Sequence, residues 1–375
     1  STRQIFFQVS WIIVAMTLVS VVVGIFLLRY ILRYVRVITE SIMGMQAKQS
    51  IDLLNMEGAP NDDVTYLGVA FNSLASTIDN LMTIFKKFVA RDVAARAYRE
   101  REIRLEGRRR ELTILFTDIK SFTYMTETLG TDIIKLLNLH YDKAIHHIHE
   151  HNGDIGSIIG DALLAIFGVM DAEEEGYNKS LASIKAAYLI NQVAAELRAE
   201  MHKRREVILR QRGSMTEAEE RIYKAVLIEV GVGIDGGDVF YGNIGSYERM
   251  VNTVIGDNVN AASRLEGLTR VYKCPVICSS YVRDETQMDS DDYLFLELDR
   301  VQVKGKTQGR EIFWPIPKEH IDETMKRDLD FYADALQDYY DGNWAEATRK
   351  FEKCSLVQSQ VFLSRMKDQA VPDNW

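Results

Sequence analysis

Two aspartates stand where a cation could be held. LTILFTD (112–118) is a short run of β-formers, apolar on both faces, which predicts a central buried strand ending in Asp118. A helical pattern opens just after it, through Ile119, Phe122, Met125 and Leu129. A carboxylate at a strand end beside a helix N-terminus suits a metal and a phosphate, because free backbone N–H groups and the helix dipole favour the anion. GDIGSIIGDALLAIFG (153–168) reads as strand, tight Gly160-Asp161 turn, strand, so Asp161 projects from a hairpin tip. Two such aspartates on adjacent strand ends can hold two Mg²⁺ ions. One would lower the pKa of an attacking hydroxyl and the other would neutralise a triphosphate. Neither feature is specific alone.

Further along, IEVGVGIDGGDVFYGNIG (228–245) predicts a strand, a glycine-rich turn and a second strand. In VNTVIGDNVNAASRLEGL (251–268) a helix begins at Val259 and places Asn260 and Arg264 four apart on one face. A neutral donor and a guanidinium there suit an in-line phosphoryl displacement: Asn260 positions a ribose, and Arg264 stabilises charge developing on phosphorus oxygens. VQVKGK (301–306) puts Lys304 near a strand end, able to reach phosphates as a point charge.

Together these pieces resemble the class III nucleotidyl cyclases, the adenylate and guanylate cyclases. Five separated motifs occur in the family's order: LFTDIKSFT, IIGDALLAIFG, GVGIDGGDVFYGNIG, VIGDNVNAASRLE and VKGK. The resemblance implies an α+β, ferredoxin-like βαββαβ core with an antiparallel sheet over about 110–317. It also implies a homodimer with its site between the two copies. On that reading Asp118 and Asp161 of one subunit bind two Mg²⁺ or Mn²⁺ ions, with Ile119 supplying backbone to the metal. Ile119, Phe122 and Thr123 cradle the phosphates. Asn260, Arg264 and Lys304 come from the other subunit, and Arg249 lies where some relatives contact phosphate.

The family reads adenine with a lysine four residues before the second metal aspartate, and guanine with a glutamate. Ser157 stands there, and Thr253 holds the partner position, a choice known in a bacterial branch of adenylate cyclases. A serine hydroxyl can donate or accept, weakly. The missing glutamate favours ATP over GTP. The expected reaction is ATP to 3′,5′-cyclic AMP and pyrophosphate. The alternatives are a guanylate cyclase and an inactive cyclase-like signalling scaffold. The hairpin signature of diguanylate cyclases is missing.

These residues need elements to position them. Residues 5–28 are an almost unbroken apolar run, long enough as a helix to cross the ~30 Å hydrocarbon core. Arg29, Arg33 and Arg36 follow it against Arg3 alone before it, so the positive-inside rule puts the remainder in the cytoplasm, beneath the plasma or inner membrane. Leu28, Ile31, Val35, Ile38, Ile42 and Met45 form one heptad seam. Val64, Leu67, Phe71, Leu74, Ile78, Leu81, Phe85 and Phe88 form another. With the connector 50–63 and DDVTYLGVAFNSL (62–74), this plan resembles a HAMP linker, although the usual proline opening its first helix is absent. It implies a parallel dimer. The expected domains are a transmembrane helix (1–28), a HAMP-like linker (29–84), a helical connector (85–109), the catalytic domain (110–317) and C-terminal helices (318–375).

Other features carry less chemistry. The charged segment 85–111 is expected to be helical, with Arg108, Arg109 and Arg110 as a solvated junction. His146, His147, His149 and His151 read as a helix end before the Asn152-Gly153 turn rather than a metal site. Residues 178–227 exceed what the family needs and read as two helices, 178–212 and 215–224, forming a surface excursion that could serve as a regulatory or dimer contact. LDFYADALQDYYDGNWAEATRKFEKCSLV (329–357) resembles one tetratricopeptide-like hairpin. One such repeat cannot bury its own face, so it is expected to pack on the catalytic domain or on a continuation of the chain.

Composition narrows the class. A net charge of −9 argues against a nucleic-acid partner. Three cysteines, Cys274, Cys278 and Cys354, imply no disulfide framework, and reduced cytosolic thiols fit better than zinc. The chain starts with Ser, which reads as an excerpt or a processed product.

Overall fold

The computed structural model describes residues 2–48, 53–55, 63–89, 93, 106–169, 176–246, 248–302, 309–367 and 371. They fall into two compact units, Ser1–Ile103 and Arg104–Trp375.

In the first unit, helix α1 (Thr2–Lys48) runs unbroken because no proline interrupts it. Its stretch Ile5–Val37, mean hydropathy 2.8, is the one helical segment among the described residues long and apolar enough to cross a membrane. Helix α2 is Asp63–Phe85. The Asn72 side chain holds residue 54 of the connector against α2: its Oδ1 accepts from the Leu54 N–H at 2.8 Å, and its Nδ2 donates to the Leu54 carbonyl at 2.9 Å. Leu67, Leu74, Ile78, Leu81 and Phe85 of the expected α2 seam are exposed. The side chains of Ile31, Ile38, Ile42, Met45 and Val64 lie outside the described residues, as do 90–92 and 94–105 of the expected helical connector.

The second unit is built on one sheet with the strand order β2-β3-β1-β4-β6-β8-β7, and β5 paired to β4. Central strand β1 (Gly107–Ile119) is apolar on both faces from Leu112 onward. It begins before the apolar run, so 107–111 is strand and not helix. Arg108, Arg109 and Arg110 pair with Tyr241, Phe240 and Val239. Arg110 donates to the carbonyls of Val169 at 2.6 Å and Gly168 at 2.8 Å, tying off the end of a neighbouring strand.

Helices α3 (Phe122–Leu129) and α4 (Ile133–Glu150) lead to the hairpin β2 (Gly153–Ile159) and β3 (Ala162–Phe167). Gly160 takes φ +64° at its tip, which a side chain would disfavour. Helix α5 (Lys179–Arg212) starts at Asn178, whose side chain caps the Leu181 N–H, and stops at Gly213. The expected surface excursion is half wrong. Ile184, Ala187, Ile190 and Ala194 of α5 are fully buried in the core, because small residues let the helix lie flat on the sheet. Only its later turns project, and α6 (Glu217–Ala225) folds back on them through Arg205–Glu220 and Arg212–Glu219 ion pairs.

Strand β4 (Val230–Gly245) runs sixteen residues without the expected glycine-rich turn. Its glycines serve contact instead. A Cβ on Gly233 would lie 2.1 Å from the Ala262 carbonyl oxygen, so helix α7 (Asp257–Tyr272) rests directly on the strand. Strands β5 (Met250–Ile255), β6 (Val276–Ser279), β7 (Tyr293–Gln302) and β8 (Gly309–Pro317) complete the sheet, with α8 (Ser280–Asp289) following β6. Among the described residues, only β4 and β6 pair in parallel.

Three further helices, α9 (Glu323–Tyr340), α10 (Trp344–Lys353) and α11 (Ser359–Met366), share a core with the sheet: Leu329, Tyr332 and Phe362 pack with Leu265, Leu296 and Ile312. All three cysteines are buried and free, and burial pushes the Cys274 thiol up to about 12.

Candidate active site

The end of β1 and the tip of the β2–β3 hairpin bring the two aspartates together. The Ile119 N–H, next to Asp118, donates to Asp161 Oδ2 at 3.3 Å. Burial, then the hydrogen bond and charge of Asp118, push the Asp161 carboxyl up to about 6. Crowded carboxylates behave this way because each disfavours the other's ionisation. Tyr141 on α4 steadies the hairpin by donating to the Gly160 carbonyl at 2.7 Å. Burial and both aspartates push its phenol up to about 12.

One cation from the same chain already meets Asp118. Arg270 on α7 ion-pairs with Asp118 and, at 3.0 Å, with Glu266 one turn back. Gly231, the strand partner of Asp118, makes the room: a Cβ there would lie 2.6 Å from Glu266 Oε1. Burial pushes the Glu266 carboxyl up to about 7, against the pull of Arg270. Neither Glu266 nor Arg270 was among the residues singled out in the sequence. Their spacing of four, acid before base on a helix, was the available signal.

The residues fit a hard divalent ion. Two carboxylates and the Ile119 carbonyl are oxygen donors of the kind Mg²⁺ takes, and the site draws a guanidinium. Among the described residues, no three His, Cys, Asp or Glu side chains gather closely enough to hold a metal by themselves. An ion here would therefore complete its shell with backbone, water or phosphate oxygen. Two histidines late in α4 are engaged locally: His146 and His147 both pair with Glu150, at 3.1 and 3.0 Å.

The other sequence-predicted residues are spread. Phe122 is half-buried and Thr123 exposed in the first turn of α3, behind Ser121 in a left-handed conformation. Ser157 follows an irregularity in β2 and faces Leu164, and Thr253 on β5 faces Gly242; both are half-buried. Arg249 is exposed in the β4–β5 turn, where its N–H donates to the Ser246 carbonyl at 3.1 Å. Lys304 lies outside the described residues, two positions past the end of β7.

Asn260 and Arg264 are exposed on α7. At about 100° per residue, Arg264 points about 200° away from Glu266, the side chain turned toward Asp118. Arg264 instead lines a small cavity with Asp235, Leu268, Arg310 and Glu311. Asp235 is fully buried there and receives a hydrogen bond from Asn258 at 3.0 Å. Among the described residues, no hydrogen bond or ion pair joins Asn260 or Arg264 to either aspartate.

Comparison with known proteins agrees with this architecture. The model of the adenylate and guanylate cyclase catalytic domain matches residues 106–316. An adenylate cyclase of Anabaena cylindrica is 31% identical over 259 residues, 68% of this chain and 46% of that protein. The terminal-differentiation specific adenylate cyclase of Dictyostelium discoideum is 28% identical over 251 residues, 66% of this chain and 11% of that protein. The chain thus spans less than half the length of either relative. The solved structure of a bacterial light-regulated adenylyl cyclase superposes with a TM-score of 0.54 at 23% identity, over 73% of this chain and 72% of that one, an agreement of fold. Residues 106–316 are more than half of the chain and hold nearly the whole sheet, the paired aspartates and helix α7 alike, so the chain belongs to the family of adenylate and guanylate cyclase catalytic domains.

Proposed function

We propose that this chain is a membrane-anchored homodimeric adenylate cyclase, converting ATP to 3′,5′-cyclic AMP and pyrophosphate at sites shared between two copies. The observation that carries it is the division of labour inside one protomer. Asp118 and Asp161 meet at one place, while Asn260 and Arg264 are exposed on α7 and, among the described residues, bonded to neither. A second copy, turned to face the first, supplies what each lacks. The exposed apolar side chains Ile158, Ile159, Phe240, Val251 and Ile255 on β2, β4 and β5 support such a contact.

Asp118, Asp161 and the Ile119 carbonyl would hold two Mg²⁺ or Mn²⁺ ions. When bound, these ions supply acidity to the ribose 3′-hydroxyl and charge neutralisation to the triphosphate. The chain's own residues do the remainder. Backbone N–H groups at Phe122 and Thr123, opening α3, cradle phosphate oxygens. Asn260 of the other copy holds the ribose, and Arg264 donates to the oxygens on which charge develops. Lys304 and Arg249 add positive charge around the phosphates. Ser157 and Thr253 offer hydroxyls to the base edge.

ATP is favoured over GTP because no glutamate stands at 157 to accept from guanine. The named adenylate cyclases among the relatives support the same reading. Residues 5–28 anchor the chain, α1 and α2 form a HAMP-like parallel dimer, and the catalytic unit lies on the cytoplasmic side.

The test is product analysis with purified protein, Mg²⁺ or Mn²⁺, and ATP and GTP in competition at equal concentration. Mostly cyclic AMP is expected. Faster formation of cyclic GMP overturns the substrate assignment, and no cyclic product from either nucleotide overturns the enzyme.

A further inference from the structure

The C-terminal helices reach the end of the helix that carries Asn260 and Arg264. Tyr272, the last residue of α7, is fully buried, and its hydroxyl donates to Asp299 Oδ2 on β7. Arg365 on α11 closes the set, donating to the same oxygen at 2.6 Å and to the Tyr272 hydroxyl oxygen at 3.1 Å. The other carboxylate oxygen of Asp299 accepts the Arg300 N–H at 2.7 Å. Beside it, the Tyr332 hydroxyl of α9 donates to the Leu298 carbonyl at 3.0 Å. Apolar packing runs in parallel: Leu265 of α7 shares one core with Leu329, Leu336 and Phe362.

This arrangement is more than a cover for the sheet. Asp299 is 4% exposed, so its charge must be matched inside the protein, and a guanidinium more than sixty residues away matches it. A buried charge that loses its partner cannot stay in place without cost. Losing that partner would also take from α7 the anchor that Asp299 gives to Tyr272 at its end. Midway along, at Ala262 to Glu266, α7 rests on Gly233, with no space for even a Cβ between them. At its far end the Tyr272–Asp299–Arg365 set fixes where it stops.

We propose that the C-terminal helices act as a brace for the catalytic helix, with Arg365 and Tyr272 as positioning residues that set where α7 presents Asn260 and Arg264 to the partner copy. The inference rests on the cyclase reading above. A displacement of about 1 Å in such a group costs up to about 10²-fold in rate. The positioning groups never touch the nucleotide, so the loss is expected mainly in turnover, through Arg264 and the charge that develops in the transition state.

The experiment uses the full chain and two readouts. Arg365→Met and Tyr272→Phe are compared with Arg365→Lys and with Ile190→Ala, a core substitution in α5 remote from the brace. The first readout is steady-state cyclic nucleotide formation, and the second is hydrogen exchange of the α7 amides. Arg365→Met and Tyr272→Phe are expected to lower kcat about tenfold while KM moves less than twofold. They should also speed exchange at the end of α7. Arg365→Lys should recover part of both, and Ile190→Ala should lower Tm without either signature. The brace is overturned if α7 exchange is unchanged in Arg365→Met, or if that variant loses activity only as far as Ile190→Ala does at equal loss of Tm. Should the wild-type chain make no cyclic product, the cyclase reading falls by that result, and the exchange readout still decides the brace.

Discussion

Burial acts differently on three titratable side chains of the catalytic unit. It raises Asp161 to about 6, where Asp118 adds to the effect, and Glu266 to about 7, where Arg270 opposes it. At His140, in the interior of α4, it acts unopposed: the side chain is buried, its Nδ1 lacks a partner among the described residues, and its pKa falls from 6.5 to about 4. The folded protein therefore keeps His140 neutral in a range where the unfolded chain takes up a proton. Its contribution is fully present above pH 6.5 and drains away as pH falls toward 4. At about 1.4 kcal/mol per pH unit, the loss from pH 6.5 to 5 is about 2 kcal/mol. Urea unfolding at pH 8 and pH 5 should show this slope in the wild type and a shallower one in His140→Leu. Equal slopes would remove His140 from the account. Asp118 and Asp161 could be read from sequence because each closes an apolar run. Arg270 and Glu266 could not, because nothing local says which face of α7 meets β1.

Glycine explains where the elements departed from expectation. GIDGG in β4 looked like a turn because glycine clusters usually permit one. Here they permit an approach, since α7 lies so close that a methyl group does not fit over Gly233. Gly233→Ala should destabilise by about 2 kcal/mol or more, since backbone atoms of α7 must be displaced. Gly267, on α7 itself with nothing within 4 Å of its Cβ position, should respond in the opposite sense. Gly267→Ala is expected to stabilise by about 0.5–1 kcal/mol. Denaturant midpoints of the two variants check both, and two shifts of the same sign would refute the contact argument. The hairpin 153–168 was legible because two apolar strands bracket a Gly-Asp tip, a purely local pattern. Residues 107–111 and the first half of α5 were not. Arginines in a strand are stabilised by remote carbonyls, and the burial of α5 depends on a sheet assembled from distant segments.

Across the whole molecule, the proposed sharing of the site between copies makes a quantitative prediction. Asp118→Ala and Arg264→Ala chains should each be inactive, since every homodimeric site lacks one part. Mixed one to one with free exchange, half the dimers are heterodimers, and one of the two sites in each is intact. Activity should return to about a quarter of wild type. No recovery, in a mixture shown by mass to contain heterodimers, would count against the shared site. The apolar face of α2, exposed at Leu67, Leu74 and Leu81, gives the first unit its own reason to pair. Helix α1 adds a mechanical corollary. It passes from Ile5 to Lys48 without a proline, and sharp bends in helices arise mostly at prolines, glycine–serine pairs or inserted turns. A rod of that kind behaves as a torsion bar. A twist or axial push given at Ile5 would arrive at Lys48 with little of it absorbed on the way.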